Sequence, residues 1–414
     1  MTTNYDGGRT AHSQFKIVVS DDPSRPNDKG SCDIDFGEPQ AEFLRNVQLI
    51  VWDEVLNSHR KDIDAVNLML QQLMGSTEPF GGKVVVFGGD FRQIPPVVPG
   101  ADEVGVCAAT FQASALYKRF RQVELQRPVR DADDPEYSAF VDSVGDGTAQ
   151  AFPGHDGSGD LIKVPAFVPH TTDCDDLIRF VYPDLRALCS TPHMYAGHAI
   201  MCTTNARVNE FNDAIVDAMD PANVATLRSY DRIDTNVAGA DLHGEVLDML
   251  GHRPGVPPHT LRLFPGALCM IMRNMDVKRR LVNSTKCVVE SIDRNIVAVR
   301  LVGAPHTGDP ILVPRICFKQ RLNRYDQRSP DVTRMQFPLQ LCYAITLNKS
   351  QGQTLKCVGL DLRDDSFSHG HTYVGFGRVR DRGSIMILVR DHRVNGANEA
   401  FVVNVVYETL MPNL

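Results

Sequence analysis

Val47-Gln48-Leu49-Ile50-Val51-Trp52-Asp53-Glu54 is a short apolar run that ends in two carboxylates. Such a run reads as a buried parallel strand delivering polar side chains at its carboxyl end. Ile63, Val66, Leu70 and Leu73 follow at helical spacing, which predicts an amphipathic helix over His59–Met74. Gly81-Gly82 resets the chain, and Lys83-Val84-Val85-Val86-Phe87 is a second apolar run, closed by Gly88-Gly89-Asp90. Strand, helix, strand with polar residues at both strand ends is the grammar of a parallel α/β domain.

Working outward, Ser20–Gln40 is rich in Asp, Pro, Gly and Ser and reads as a surface loop. A second α/β unit begins near Gly197: Ala199-Ile200-Met201-Cys202 leads into Thr203-Thr204-Asn205, which can cap a helix bearing Val208, Phe211 and Ile215. Phe152–Gly159 reads as a loop or linker. Between Leu263 and Ile316 the pattern changes to short β-type runs at Ala267–Met272, Lys286–Ile292, Ile296–Val302 and Pro310–Val313, a small β module inserted in the second unit. Gln340–Thr346 and Ser384–Val389 resume the buried-strand pattern. The expected organisation is 1–150, a linker 151–196, the second unit 197–260, a basic insertion 261–334, and the rest of the second unit 335–414.

A chain of 414 residues with 43% hydrophobic and 23% charged residues can bury at least one sizeable core. It contains no apolar run long enough to span a bilayer and no signal-peptide core near the start. The ten cysteines form no CxxC pair, which argues against a zinc ribbon or a redox dithiol and for reduced thiols inside the cell. Net charge is −8, yet Leu261–Arg334 holds fourteen Lys or Arg against six Asp or Glu. That segment, with Lys278, Arg279, Arg280 and the series Arg315, Lys319, Arg321, Arg324, Arg328, is either a solvated basic surface or a polyanion track.

Four motifs carry chemistry. Asp53-Glu54 is the arrangement that holds Mg²⁺ on one carboxylate while the other orients or deprotonates water. Gly88-Gly89-Asp90-Phe91-Arg92-Gln93-Ile94-Pro95-Pro96 puts an amide able to sense a phosphate between glycines and prolines. Ala344–Leu355 is a strand opening into a polar helix start that includes Lys349, Ser350, Gly352 and Thr354. Tyr373-Val374-Gly375-Phe376-Gly377-Arg378-Val379-Arg380 supplies guanidinium groups that can meet a transferring phosphoryl group across a cleft.

With Gly7–Phe15, Val181–Leu185 and Asn274–Asn283, this ordered set resembles the petite-integration-frequency (PIF) family of DNA helicases in superfamily one, and especially the Helitron-related variants. The resemblance covers nearly the whole chain. It implies an α/β fold with two RecA-like P-loop NTPase domains, the first incomplete, and a small SH3-like β-barrel inserted in the second. It also implies ATP and Mg²⁺ as cofactors, 5′-to-3′ movement on single-stranded DNA, unwinding at duplex junctions, and no membrane. A nuclear or mitochondrial setting follows, in repair, recombination or telomere maintenance. By position, Asp53 would bind Mg²⁺, Glu54 would activate water and Gln93 would read the γ-phosphate. Arg130 would match a conserved-motif arginine and Arg378 the arginine finger. Gly89, Asp90 and Gly352 would line the nucleotide. Thr10, His12, Ser13, Lys349, Ser350 and Thr354 would contact DNA.

Two departures from the family pattern stand out. No Gly-x-x-x-x-Gly-Lys-Ser/Thr phosphate loop occurs, so the chain is expected to begin after it, leaving an unpaired edge and exposed apolar surface in the first domain. Gly375 and Gly377 stand where the family carries Ala and Ser, which predicts a freer backbone at Arg378. A catalytically inactive, single-strand-binding remnant is therefore the competing expectation. His369-Gly370-His371 has no third ligand nearby and reads as a loop rather than a metal pair.

Overall fold

The computed structural model of the protein describes residues 8–18, 30–125, 130, 133–153, 161–234, 255–276, 279–303, 309–321, 331–395 and 399–411. Gly7, Lys278, Arg324, Arg328, the first half of the 20–40 loop, residues 126–129 and most of the 152–159 loop lie outside the described residues.

Two separate apolar cores organise the molecule. The smaller is built on Leu49–Trp52 and Val84–Phe87, which pair in parallel with Trp52 opposite Phe87. Helix Arg60–Met74 packs on them through Ile63, Val66, Leu70 and Leu73, all buried, each side chain contributing about 1.5–3 kcal/mol. The helix starts where His59 Nδ1 accepts from Lys61 N at 3.1 Å. It ends at Gly75, whose φ of 60° satisfies the left-handed cap. Trp52, Phe87, Phe111 and Phe120 fill the sheet's inner side with edge-on and stacked rings. The two strands are buried on that side only. Leu49, Val51, Val84 and Val86 alternate onto the other face and are each roughly half exposed, so the strands are not the fully covered ones their sequence suggests.

The larger core surrounds a five-stranded parallel sheet in the order Ala344–Thr346, His198–Cys202, Cys357–Asp361, Ile385–Leu388 and His170–Thr171. Helix Asn205–Asp217 is capped by Thr204, whose side chain accepts from Arg207 N, and buries Val208, Phe211 and Ile215. The stretch 151–196 is not a linker. It contributes Leu161–Val164 to a three-stranded antiparallel sheet, His170–Thr171 to the parallel sheet, and helix Cys174–Val181 against its face. These elements are too short for periodicity to betray. Helix Pro135–Gly145 also packs with this core, through Tyr137, Val141 and Val144.

The insertion is antiparallel throughout. Ile311–Pro314, Ile296–Leu301, Lys286–Ile292, Leu268–Ile271 and Leu339–Leu341 form one sheet in that order, whose end strands do not pair with each other, so its ladder is open rather than a closed barrel. Ile316–Arg321, Asp331–Gln336 and Tyr230–Asp234 form a second sheet. The first joins the parallel sheet directly. Leu339–Leu341 pairs with Leu268–Ile271, and two residues later Ala344–Thr346 pairs with His198–Cys202. At the step, Cys342 N donates to Leu268 O and Ile200 N to Tyr343 O. The buried Tyr343 hydroxyl accepts from Leu268 N, and Tyr182 donates to Tyr343 O at 2.7 Å. All ten cysteines are free, and no helix among the described residues is long and apolar enough to cross a membrane.

Candidate nucleotide site between the two cores

Asp53 and Glu54 sit at the carboxyl end of Leu49–Trp52, where the chain must turn sharply. Glu54 takes φ 53°, and its N–H donates to Asp53 Oδ1 at 3.0 Å. Gly88 leaves room for that carboxylate, since a Cβ there would lie 3.3 Å from Asp53 Oδ1. Asp53 is exposed, while Glu54 is half-buried. Burial, with Asp53 and Asp90 adding repulsion, raises the Glu54 pKa, and Arg378 and Arg130 partly offset them. Two carboxylates of the smaller core thus share one field with two guanidinium groups on its far side.

Arg378 is buried, and burial followed by the neighbouring Arg130 charge lowers its pKa to about 10. Its Nε donates to Val374 O at 3.0 Å, and Leu355 N donates to Arg378 O at 2.8 Å. The glycines do not loosen it. A Cβ at Gly375 would fall 2.9 Å from Leu360, so glycine is what lets helix His371–Phe376 lie against the sheet. Arg130 donates to Thr354 Oγ1 and to Gly377 O, locking the same turn from outside.

The Asp90–Gln93 segment is clamped from the larger core. Asp90 Oδ1 accepts from Arg92 N and Nε, and Asp90 Oδ2 from Tyr373 OH at 2.7 Å. Arg92 lies 4.8 Å from the Tyr373 ring centroid and reaches Asp142 at 2.8 Å. The buried His369 binds Phe91 O with Nε2 and accepts from Tyr407 N with Nδ1, so neither ring nitrogen is left for a metal. Gly370 has φ 74°, and a Cβ there would fall 2.3 Å from Arg92 O. Gln351 completes the seam, donating to Asn57 Oδ1 and Ile94 O. Gln93 Oε1 is buried and has no hydrogen-bond partner, a state that costs free energy unless a ligand or water supplies a donor.

The expected residues therefore divide. Asp53, Glu54, Asp90, Arg130 and Arg378 share one electrostatic neighbourhood, with Gln93 on the clamped segment beside them. Asp90 spends its carboxylate on Arg92 and Tyr373 rather than on a ligand. Gly89 is a packing glycine, its absent Cβ making room for Leu56. Gly352, φ 69°, turns the chain after Leu347–Ser350. Thr10 caps helix Ala11–Phe15 through Ser13 N, and His12 lies 3.8 Å from Asp62. Of the residues expected on DNA, Thr354 is exposed, and Lys349 is mostly buried with Nζ on Gln340 Oε1. Ser350 is fully buried with its hydroxyl on Leu347 O, which leaves it no surface for DNA. Arg92, Tyr373 and Gln351 were not assigned a role, and His369 was read only as part of a loop. The only sequence signal for them was their place inside motifs already quoted.

A "PIF1-like helicase" family model matches residues 2–152, and a "DNA helicase Pif1, 2B domain" model matches residues 248–292. The ATP-dependent DNA helicase PIF1 of Danio rerio is 25% identical over 361 residues, covering 86% of this chain and 48% of its own length. That of Mus musculus is 27% identical, covering 84% and 46%. The chain spans about half the length of these curated relatives. Bacteroides Pif1 bound to single-stranded DNA superposes with a TM-score of 0.63 at 21% identity, covering 98% of this chain and 82% of that one. Bacteroides Pif1 in complex with ADP-AlF3 and single-stranded DNA gives 0.62 at 22%, covering 92% and 79%. The α/β architecture is accordingly that of the RecA-like P-loop helicases. Two family models in chain order and relatives matched along most of the chain make the chain similar to the PIF1-like helicases, most directly over residues 2–152 and 248–292.

Proposed function

We propose that this chain is the motor region of an ATP-dependent 5′-to-3′ DNA helicase, with nucleotide held between the two cores and single-stranded DNA as its track. The observation that carries the reading is the convergence of Glu54 and Asp53 with Arg378 and Arg130 across the seam. The residues fit Mg²⁺ and a polyphosphate. Asp53 offers an exposed carboxylate to a hard cation, and Gln93 Oε1 awaits a donor. Among the described residues no cluster of three or more His, Cys, Asp or Glu could hold a metal by itself.

Bound Mg·ATP would supply the phosphoryl group whose transfer to water drives movement. Glu54, half-buried beside Asp53, would be placed to take a proton from that water. Gln93 would orient it. Arg378, held by backbone carbonyls in a buried site, would meet developing phosphoryl charge with little reorganisation. The clamp of Tyr373, His369 and Gly370 on residues 90–93 would tie this chemistry to the relative position of the cores. The DNA substrate would extend to duplex junctions and place the protein in the nucleus or mitochondrion.

ATP turnover by the whole protein, with and without single-stranded DNA, tests the reading. DNA-stimulated turnover that Glu54→Gln lowers by at least about 100-fold is the expected result. Single-strand binding with no turnover would replace it by the inactive remnant.

A further inference from the structure

The stretch after Val403 crosses from one core to the other. Ala400–Val403 is seated in the larger core, antiparallel to Leu161–Val164, with Ala400 and Val402 buried. The backbone then runs on over helix Pro135–Gly145 and the 369–370 turn. Asn404 Nδ2 donates to Val144 O at 2.8 Å, and Gly370 N donates to Val405 O at 3.1 Å. Val406 lies on Gly147, where a Cβ would fall 3.1 Å from its Cγ1. Tyr407 stacks on His369 with ring centroids 5.4 Å apart, and its N–H donates to Nδ1 at 2.9 Å. A single turn, Glu408–Leu410, follows and buries Leu410, whose carbonyl accepts from Gln112 Nε2 at 2.8 Å. Gln112 is the neighbour of Phe111, a buried member of the smaller core.

His369 is the middle of this path. Its Nδ1 accepts from the Tyr407 amide, so the ring proton sits on Nε2, which donates to Phe91 O at 2.7 Å. Phe91 packs against the smaller core, two residues from Gln93. The His369 ring is fully buried and has no water to turn to, so a shift of the Tyr407 N–H is felt at Phe91 O. The outer anchors are weaker than their bonds suggest. Gln112 Oε1 and Asn404 Oδ1 are both buried without a hydrogen-bond partner, a cost each side chain carries until water reaches it. Each anchor thus sets a bond made against an acceptor orphaned, which suits a contact that lets go.

We propose that Asn404–Leu410 is a releasable strap between the cores and that Tyr407, acting through His369, is a positioning residue for Gln93. The choice of Gln93 as the group positioned rests on the nucleotide reading above, whereas the strap does not. With Gln112 bonded to Leu410 O, His369 holds Phe91 O and Gln93 is carried on a fixed backbone. Parting of the cores breaks the Gln112 bond and frees that backbone.

Hydrogen exchange of the whole protein, without nucleotide, tests the strap. Gln112→Met keeps the length of the side chain and removes both the bond to Leu410 O and the orphaned oxygen. Exchange should speed about tenfold at 404–411 and at 90–94, and stay unchanged in helix Arg60–Met74. In His369→Gln an amide can still reach Phe91 O, but the Tyr407 N–H loses its acceptor. In that background the effect of Gln112→Met at 90–94 should vanish. Exchange of the wild type in rising urea does not depend on how the variants fold, and there 90–94 and 404–411 should open along one isotherm. Effects confined to 404–411, transmission that survives His369→Gln, or separate isotherms would overturn the proposal. ATP turnover with single-stranded DNA is the second arm. Gln112→Met should lower kcat about 10- to 100-fold and change KM for ATP by less than about twofold, and unchanged kcat would strike the positioning role. Coupled exchange in a protein that turns over no ATP sinks the helicase reading and leaves the strap, while turnover with uncoupled exchange sinks the strap alone.

Discussion

Tyr373 donates its hydroxyl to Asp90 at 2.7 Å, joining residues 283 positions apart and fastening one core of the molecule to the other. The bond ends on a carboxylate that also holds Arg92. Tyr373→Phe keeps the ring beside Arg92 and removes only this bond, so a loss of about 1.5–3 kcal/mol is expected. Urea unfolding measures it, and Tyr373→Ala should cost more because the cation–π contact goes too.

Gly370 and Gly75 both have positive φ, but only Gly370 faces a wall. Gly75→Ala meets nothing within 4 Å and should cost about 1 kcal/mol for the left-handed backbone alone. Gly370→Ala must also displace Arg92 O. It should cost about 3 kcal/mol or more and disturb Gln93, so its unfolding midpoint should fall well below that of Gly75→Ala.

Arg378→Lys retains a charge and loses the fork that reaches Val374 O and Gln353 O. If Arg378 meets phosphoryl charge, turnover should fall about 1,000-fold or more. Binding of a non-hydrolysable nucleotide should change much less. Equal losses in both would point to a role in ground-state binding.

Arg334 is fully buried and bonds Asp231 through Nε and NH2, at 2.9 and 3.1 Å, and Pro257 O. Asp231→Ala leaves that guanidinium without its counter-charge and should destabilise the fold by about 3–5 kcal/mol. The double change with Arg334→Met should recover most of the loss, which calorimetry of the three proteins would reveal.

Burial lowers the His371 pKa from 6.5 to about 4. The unfolded chain therefore binds a proton below pH 6.5 that the folded one refuses until about pH 4. This group's contribution is complete above pH 6.5 and is lost as pH falls toward 4, a difference worth about 3 kcal/mol. His371→Phe should flatten the fall in urea midpoint between those values. A parallel profile would refute the assignment.

Long, regular elements were legible in the sequence. Ile63, Val66, Leu70 and Leu73 announced a helix because one face recurs over about three turns, and Thr204 announced where the next unit's helix starts. His170–Thr171 was invisible, since a two-residue strand has no period and exists only because Ile385–Leu388 offers it a partner. The acidic pair, the Gln93 segment and Arg378 were legible as motifs. Their clamp was not: His369 bonds Phe91, and Tyr373 bonds Asp90, across chain separations that local pattern cannot span. The glycines beside Arg378 misled for the same reason, because what fixes that turn is Leu360 and Arg130.

The two-residue step at Cys342–Tyr343 gives the insertion a mechanical character. Leu339–Leu341 and Ala344–Thr346 are consecutive stretches of one backbone, riveted in two sheets by Tyr343 and Tyr182. A torque on the basic insertion passes through that joint into the strand leading to Lys349 and Gln351, with no slack loop to absorb it. A pull on the insertion would be felt at the seam between the cores as a change of angle, before any side chain there had moved relative to its own domain.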